Sequence, residues 1–136
     1  MLVIIDTCIW SEALRKSDKM NKLIIQELTE LIKEDRVIML GLIRQEILSG
    51  IKSKNDFLKL KKTLKAFEDY QVTTEDYEFA AEIFNKCKSK GIQGSNTDFL
   101  ICAVAIRNNY SIFTADKDFK LYSKYIKIRL HEARKK

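Results

Sequence analysis

The chain has 136 residues, a net charge of +6 and 46% hydrophobic residues, which fits one compact domain over residues 1–136. Its apolar runs are too short for the ~20 residues that span a bilayer, and its three cysteines and single His131 lack the spacing of a disulfide framework, a zinc site or a histidine-based triad. We therefore expect a cytoplasmic protein without membrane contact, whose cysteines are small buried hydrophobes and whose basic charge favours nucleic acid as a partner.

The first half of the chain alternates apolar runs with segments of helical spacing. Residues 2–5 and 37–40 are continuous apolar runs, which indicates strands buried on both faces of a sheet. The recurrence of apolar residues three and four positions apart predicts helices over about residues 8–16, 20–34, 42–51 and 56–67.

The second half continues this alternation. Thr73-x-x-Asp76 is a capping box that begins a helix, Gly91 ends that helix, and Ser95-x-x-Asp98 begins the next one. The remaining predicted elements are strands over residues 71–73, 111–114 and 126–130 and a short helix over about residues 116–122. Strands that alternate with helices predict an α/β fold, with a mostly parallel central sheet of about five strands flanked by helices on both faces.

Four acidic residues lie just beyond an apolar run or near the start of a helix: Asp6, Glu46, Asp98 and Asp116. In an open α/β sheet, the carboxyl ends of the strands face one crevice, where ligands usually bind. Carboxylates gathered there repel one another unless a cation lies between them, and Mg²⁺ and Mn²⁺ prefer oxygen ligands. The pattern predicts a metal site and, in a basic protein, a metal-dependent nuclease.

Helix geometry alone leaves other roles open for three of these acids. Asp6 could cap the helix that follows it. Glu46 shares a helix face with Leu42, which predicts an inward carboxylate that needs a cation or a basic partner. Asp98 and Asp76 both follow a Ser or Thr cap by three residues, and helix geometry does not separate them.

The strand over residues 111–114 is followed by two acids, Asp116 and Asp118, and either could cap the short helix. Thr114 could orient a carboxylate or a bound water. Loops at the ends of strands are also where catalytic residues collect.

Four segments, in this order, resemble the motifs of a known family. They are residues 4–8 (Ile-Ile-Asp-Thr-Cys), 44–50 (Arg-Gln-Glu-Ile-Leu-Ser-Gly), 98–105 (Asp-Phe-Leu-Ile-Cys-Ala-Val-Ala) and 114–119 (Thr-Ala-Asp-Lys-Asp-Phe). Together they are similar to the PIN-domain ribonucleases of the VapC toxin type, from bacterial and archaeal toxin–antitoxin systems. Cys102 stands where that family often has alanine, which is a conservative difference.

The resemblance implies a single PIN-like domain in which four acids form one cluster: Asp6, Glu46, Asp98 and Asp116. Asp6 and Asp98 would be the most direct ligands of Mg²⁺ or Mn²⁺. The resemblance favours Asp116 over Asp118 as the fourth acid, and it leaves Asp76 outside the site.

The implied activity is metal-assisted hydrolysis of RNA phosphodiester bonds, as the toxin of a toxin–antitoxin system. An antitoxin protein would cover the crevice, and a homodimer is the common assembly; the helical region over residues 23–67 is a candidate surface for either contact. One alternative is a non-catalytic RNA-binding α/β module whose acids cap helices. Another is a phosphoryl-transfer enzyme, which is disfavoured because Asp6 has no second acid beside it. A nucleotide-binding role is disfavoured because no Gly-rich phosphate loop is present.

Overall fold

A sheet of three parallel strands forms the centre of the protein. The computed structural model describes residues 1–14 and 21–135, and its strands are β1 (Val3–Ile5), β2 (Val37–Ile38) and β3 (Ser111–Phe113), in the order β2-β1-β3. Every residue of β1 and β3 is buried. Because successive side chains of a strand point to opposite faces, other parts of the chain must cover both faces of this sheet.

Helices connect the strands and pack around them. Those in the described ranges are α1 (Thr7–Leu14), α2 (Lys22–Lys33), α3 (Gly41–Leu48), α4 (Lys54–Leu64), α5 (Thr74–Ser89), α6 (Asn96–Asn108) and α7 (Lys117–Tyr122). They correspond to the predicted helices; residues 15, 16 and 20, at the margins of two of those predictions, lie outside the described residues. Within the described part of the chain, no helix is both long enough and apolar enough to cross a membrane.

The sequence signals at the two ends of α5 act as predicted. The Thr73 hydroxyl accepts a hydrogen bond from the Asp76 N–H at 3.2 Å, and the Asp76 carboxylate accepts one from the Thr73 N–H at 3.0 Å, which completes the capping box. At the other end, Gly91 has a φ of 78°, and its N–H donates to the Lys88 carbonyl at 3.0 Å. Glycine adopts this left-handed conformation without strain, so the helix ends there.

The sheet has three strands where the sequence predicts about five. On the β2 side, residues 71–73 form no strand, and a single parallel bridge joins Asp69 to Met39. The Thr73 N–H, which a strand would offer to a neighbour, is instead bound by the Asp76 carboxylate. The start of α5 therefore ends the pairing after one bridge.

On the β3 side, residues 126–130 keep the predicted alternation, because both isoleucines in the segment are buried. Only Leu130 pairs with β3, through one parallel bridge to Ile112. The Ile126 N–H donates to the Tyr122 carbonyl at 3.0 Å, so the segment begins as a turn after α7. The segment reaches the sheet only at Leu130, its last residue, so the bridge to Ile112 is all that forms of the predicted edge strand.

The strand order creates a crevice at the carboxyl end of β1. β1 pairs with β2 on one side and with β3 on the other. The connection that leaves β1 leads to one side of it, and the connection that leaves β2 crosses to the other side. Open α/β sheets bind ligands at such a switch point. Asp6 follows β1, Thr114 follows β3, and the Asp6 N–H donates to the Phe113 carbonyl at 2.9 Å. Two strand ends thus deliver polar side chains to one place.

Two other buried acids have basic partners of their own. Asp76 is fully buried and accepts a hydrogen bond from the Arg107 guanidinium at 2.6 Å. Glu27 in α2 accepts one from Arg134 at 2.8 Å, and its other oxygen lies 2.6 Å from Nε2 of His131. A buried carboxylate is costly unless it is paired. The basic partners therefore explain why these two acids can be buried, without any need for a bound metal ion.

Candidate metal centre

Asp6 follows β1 directly, and its carboxylate is held from two sides. Oδ1 accepts a hydrogen bond from the Thr7 N–H at 2.8 Å, and Oδ2 accepts one from the Thr114 hydroxyl at 2.7 Å. The residue is only 9% exposed. Its carbonyl also accepts from the Ile9 N–H at 3.1 Å, in the first turn of α1. Asp6 thus starts the helix and still points its carboxylate into the crevice.

Thr114 connects Asp6 to the loop that carries the last acids. While its hydroxyl donates to Asp6, it accepts a hydrogen bond from the Asp116 N–H at 3.0 Å. A hydroxyl has one proton to donate and lone pairs to accept with, so both bonds can form together. The predicted supporting role of Thr114 agrees with this geometry.

Asp98 lies in the first turn of α6, where the Ser95 hydroxyl accepts from its N–H at 3.0 Å. Its carboxylate turns toward α7 and accepts a hydrogen bond from the Tyr122 hydroxyl at 2.8 Å. Burial raises the pKa of the Asp98 carboxyl above its usual value, and the charges of Asp116 and Asp6 raise it further. Like-charged neighbours of this kind are a sign that the carboxylates converge.

Asp116 and Asp118 are both exposed at the start of α7. Asp116 is the N-cap, and its carboxylate accepts a hydrogen bond from the Asp118 N–H at 2.9 Å. Asp98, Asp116 and Asp118 each offer a carboxylate oxygen, and these three oxygens lie within 4.8 Å of one another. The geometry brings both candidates for the fourth acid to Asp98 and does not choose between them.

Glu46 is exposed, which contradicts the inward orientation expected from its helix face. The buried residues of α3 are Ile43 and Ile47, so the core-facing stripe passes to one side of Glu46. Its carboxylate accepts a hydrogen bond from the Thr7 hydroxyl at 3.1 Å. Since the Thr7 N–H binds Asp6, Thr7 connects Glu46 to the crevice at its outer rim.

Cys8 also differs from expectation. Cys87 and Cys102 are buried, as predicted, but Cys8 is half-buried in the crevice. Its sulfur accepts a hydrogen bond from the Ala115 N–H at 3.3 Å and lies 3.5 Å from the nearer carboxylate oxygen of Asp6. Burial raises the pKa of the Cys8 thiol, and the Asp6 charge adds to that effect although two hydrogen bonds oppose it. The thiol is therefore neutral and helps to support the loop after β3.

These donors fit a hard divalent cation. The side-chain oxygens of Asp98, Asp116 and Asp118 form a compact set that does not include the predicted Asp6 and Glu46. Asp6 is near enough for its charge to raise the pKa of the Asp98 carboxyl. Among residues 1–14 and 21–135, no lysine or arginine forms a salt bridge with any of these four aspartates. Grouped carboxylates that lack a basic partner match the oxygen ligands that Mg²⁺ and Mn²⁺ prefer.

A cleft of about 410 Å³ opens beside these acids. Its lining includes Thr7 and Glu46, together with Gln45, Leu42, Ser49 and Thr97. Amide and hydroxyl groups of this kind can form hydrogen bonds with a polar ligand. The rim around Glu46 therefore offers room for a substrate next to the candidate metal ligands.

Two contributors to this site were not predicted. Thr7 directly follows Asp6, and the Asp-Thr pair in the first resembling segment could have indicated it. Tyr122 lies 24 residues after Asp98 and in another helix. No local spacing in the sequence signals that contact.

Comparison with known proteins agrees with the fold. The model of the PIN domain family matches residues 3–125. VapC ribonuclease Mb1587 of Mycobacterium bovis is 29% identical over 127 residues, which cover 90% of this chain and 92% of that protein. Ribonuclease VapC11 of Mycobacterium tuberculosis gives the same values.

Solved structures share the same architecture. FitAcB from Neisseria gonorrhoeae superposes with a TM-score of 0.79 at 19% identity and covers 96% of this chain and 97% of its own. VapBC2 from Rickettsia felis, bound to a promoter DNA fragment, has a TM-score of 0.77 at 20% identity over 96% and 98%. A toxin–antitoxin complex from Klebsiella pneumoniae has a TM-score of 0.65 at 15% identity over 86% and 89%. With the family match spanning nearly the whole chain, this protein belongs to the PIN domain family.

Proposed function

We propose that the protein is a metal-dependent endoribonuclease that uses Mg²⁺ or Mn²⁺ and acts as the toxin of a toxin–antitoxin system in the cytoplasm. The observation that carries the proposal is that carboxylate oxygens of Asp98, Asp116 and Asp118, at the starts of α6 and α7, lie within 4.8 Å of one another. Membership of the PIN domain family and the ribonuclease names of its relatives support the same activity.

Within this proposal, Asp6, Asp98 and Asp116 hold the cation, Asp118 lies beside them, and Glu46 completes the rim. A bound divalent cation would activate a water for attack on a phosphodiester and offset the charge that develops on the phosphate. Thr114 keeps Asp6 facing the site and fixes the backbone before Asp116. The protein's own contribution is therefore the placement of the acids.

RNA is the proposed substrate, and the positive charge of the chain suits a polyanion of this kind. A net charge of +6 attracts a polyanion, and exposed lysines can bind phosphates without reading the sequence. The only histidine, His131, contacts Glu27, Ile112 and Phe113 and none of the four acids in the described ranges, which disfavours a histidine-based, metal-free ribonuclease built on this site. We propose that the shape of an RNA loop or bend directs cleavage.

The proposed partners are a cognate antitoxin and a second copy of the chain. The similar structure from Klebsiella pneumoniae is a toxin–antitoxin complex, which supports an antitoxin as a partner. The homodimer rests on the family resemblance alone. An antitoxin that covers the crevice would block access to the acids.

Removal and return of the metal test the proposed activity. Purified, antitoxin-free protein should cut a pool of cellular RNAs at discrete sites in Mg²⁺ or Mn²⁺. Cleavage should stop when EDTA is added and return when excess metal is restored, because the acids alone provide no nucleophile.

A folded, metal-bound protein that binds these RNAs and leaves them uncut would favour the non-catalytic RNA-binding module instead. Cleavage that continues in EDTA would contradict the metal requirement. RNA binding is measured in parallel by gel shift, so that loss of binding is not mistaken for loss of cleavage.

The Thr114 hydroxyl gives a second test of the site. We expect Thr114→Val to slow cleavage by about 10- to 100-fold, because a group that orients a metal ligand typically contributes that much. Valine has a similar shape but leaves the Asp6 oxygen and the Asp116 N–H without this partner. The measurement is the single-turnover cleavage rate at saturating RNA.

Thr63→Val is the matched control, since Thr63 in α4 is exposed and, among the described residues, its hydroxyl bonds only to the Lys59 carbonyl of its own helix. It should leave the rate unchanged. Equal rates for both variants would show that Thr114 does not orient the site.

A further inference from the structure

The hydroxyl of Tyr122 makes a contact that the proposed activity has not used. Tyr122 lies at the end of α7 and is fully buried, yet its oxygen donates a hydrogen bond to Oδ2 of Asp98 in α6 at 2.8 Å. A neutral donor to a charged acceptor forms one of the stronger hydrogen bonds in proteins. The last turn of α7 is thereby fixed to a candidate metal ligand.

The position of this hydroxyl is set by its surroundings. The Tyr122 ring contacts Phe99 at a centroid distance of 4.9 Å and Phe119 at 5.4 Å. Gly94 lies so close that an added Cβ would be 2.5 Å from the Tyr122 oxygen and 2.7 Å from the Phe99 ring. Real Cβ atoms do not approach this closely, so only glycine leaves room for the ring and its hydroxyl.

The same helix carries the other acids of the site. α7 begins at its N-cap Asp116, has Asp118 in its first turn and ends at Tyr122. Asp98 is therefore held by the helix that also supplies its acidic neighbours. Without a bound cation, repulsion between these carboxylates would favour rotation of Asp98 away from the other two. The hydrogen bond from Tyr122 opposes that rotation.

We propose that Tyr122 is a positioning residue of the metal centre: its hydroxyl binds Oδ2 of Asp98 and so fixes the orientation of the carboxylate that would hold the cation. This inference rests on the proposed metal-dependent function. If the hydroxyl had a purely structural role, its loss would lower only the stability of the fold. If it has a positioning role, its loss weakens metal binding.

Tyr122→Phe separates the two roles, because it keeps the ring and removes only the donor. The test titrates the full-length protein with Mn²⁺ by calorimetry and measures RNA cleavage over the same range of Mn²⁺ concentration. We expect the variant to fold and to bind Mn²⁺ about 10- to 100-fold more weakly, since partners that orient a metal ligand typically contribute that much. Cleavage should recover when Mn²⁺ is raised by the same factor.

Tyr125→Phe is the matched control. Tyr125 is half-buried, and its hydroxyl forms no hydrogen bond with any residue in the described ranges. This variant should bind Mn²⁺ as the unmodified protein does. Gly94→Ala is a second perturbation, because it displaces the Tyr122 hydroxyl without removing it, and it too should weaken Mn²⁺ binding.

Unchanged Mn²⁺ affinity in Tyr122→Phe would overturn the positioning role, as would a variant that fails to fold, since the hydroxyl would then serve the fold itself. A protein that binds Mn²⁺ but never cuts RNA would overturn the proposed function while the affinity comparison still decides the role of Tyr122. Absence of Mn²⁺ binding in the unmodified protein would overturn both.

Discussion

Replacement of Asp98 by asparagine should lower metal-dependent RNA cleavage by more than about a hundredfold, beyond the effect of losing an orienting partner. Asparagine has the same shape and can still accept the Tyr122 hydrogen bond, so the fold should survive. What is lost is a negative charge at a point where three carboxylate oxygens lie within 4.8 Å. The measurement is the single-turnover rate over a range of Mg²⁺ concentrations, with circular dichroism as the test of folding.

Asp56→Asn is the control for Asp98→Asn, because Asp56 is exposed near the start of α4 and loses the same charge. Its rate should not change. Asp6→Asn should behave like Asp98→Asn, and a comparison of Asp116→Asn with Asp118→Asn would identify the fourth acid. A folded Asp98→Asn protein that cuts RNA at the normal rate would remove Asp98 from the site.

Replacement of Asp76 by alanine should lower the free energy of unfolding by about 3 kcal/mol, roughly 1 kcal/mol for each of the three hydrogen bonds that its carboxylate accepts. The fully buried Asp76 carboxylate accepts hydrogen bonds from Arg107, from the Tyr70 hydroxyl and from the Thr73 N–H. Alanine removes all three and breaks the capping box of α5. Urea unfolding at neutral pH measures the loss.

The effect of Asp76 on stability should depend on pH. Burial by itself raises the pKa of this carboxyl, but the hydrogen bonds from Thr73, Arg107 and Tyr70 outweigh it and hold the pKa below its ordinary value. A carboxyl with a lowered folded-state pKa stabilises the fold above its unfolded pKa, about 4, and loses that contribution as the pH falls through the folded value. The difference between Asp76→Ala and the unmodified protein should therefore shrink in acid below about pH 4.

Glu75→Ala is the control for Asp76→Ala, since Glu75 is exposed in the same first turn and contributes mainly through the helix dipole. Its removal should cost only a few tenths of a kcal/mol at any pH where it is charged. A stability loss of the same small size for Asp76→Ala would mean that the buried network contributes little.

Asp76 and Asp98 show where prediction from sequence reaches its limit. Both follow a Ser or Thr cap by three residues, and both begin a helix with an apolar face, so helix geometry assigned them equal roles. The structure separates them through a distant partner, because Arg107 comes from 31 residues further along the chain. The resemblance to the PIN domain family leaves Asp76 outside the site because it compares whole motifs and their order, and the pairing of Asp76 with Arg107 agrees with that prediction.

The helices and the three central strands were predicted more completely than the outer strands of the sheet. Apolar runs identified β1, β2 and β3, and capping signals identified both ends of α5. The prediction of two outer strands was wrong because a strand also needs backbone hydrogen-bond partners in the neighbouring strand. The pattern of side chains does not specify those partners. The inward orientation expected for Glu46 was wrong for a related reason, because a face of a helix is buried only where another part of the chain packs on it.

The bond between Thr114 and Asp6 joins residues 108 positions apart in the chain. β1 is the middle strand of the sheet, and it can pair with β3 only after the ribosome has made the residues between them. At the usual ~5–20 residues per second, the interval between the two is roughly 5–20 s. A protein with the proposed toxic activity would therefore lack its assembled site until β3 and the loop after it have been synthesised.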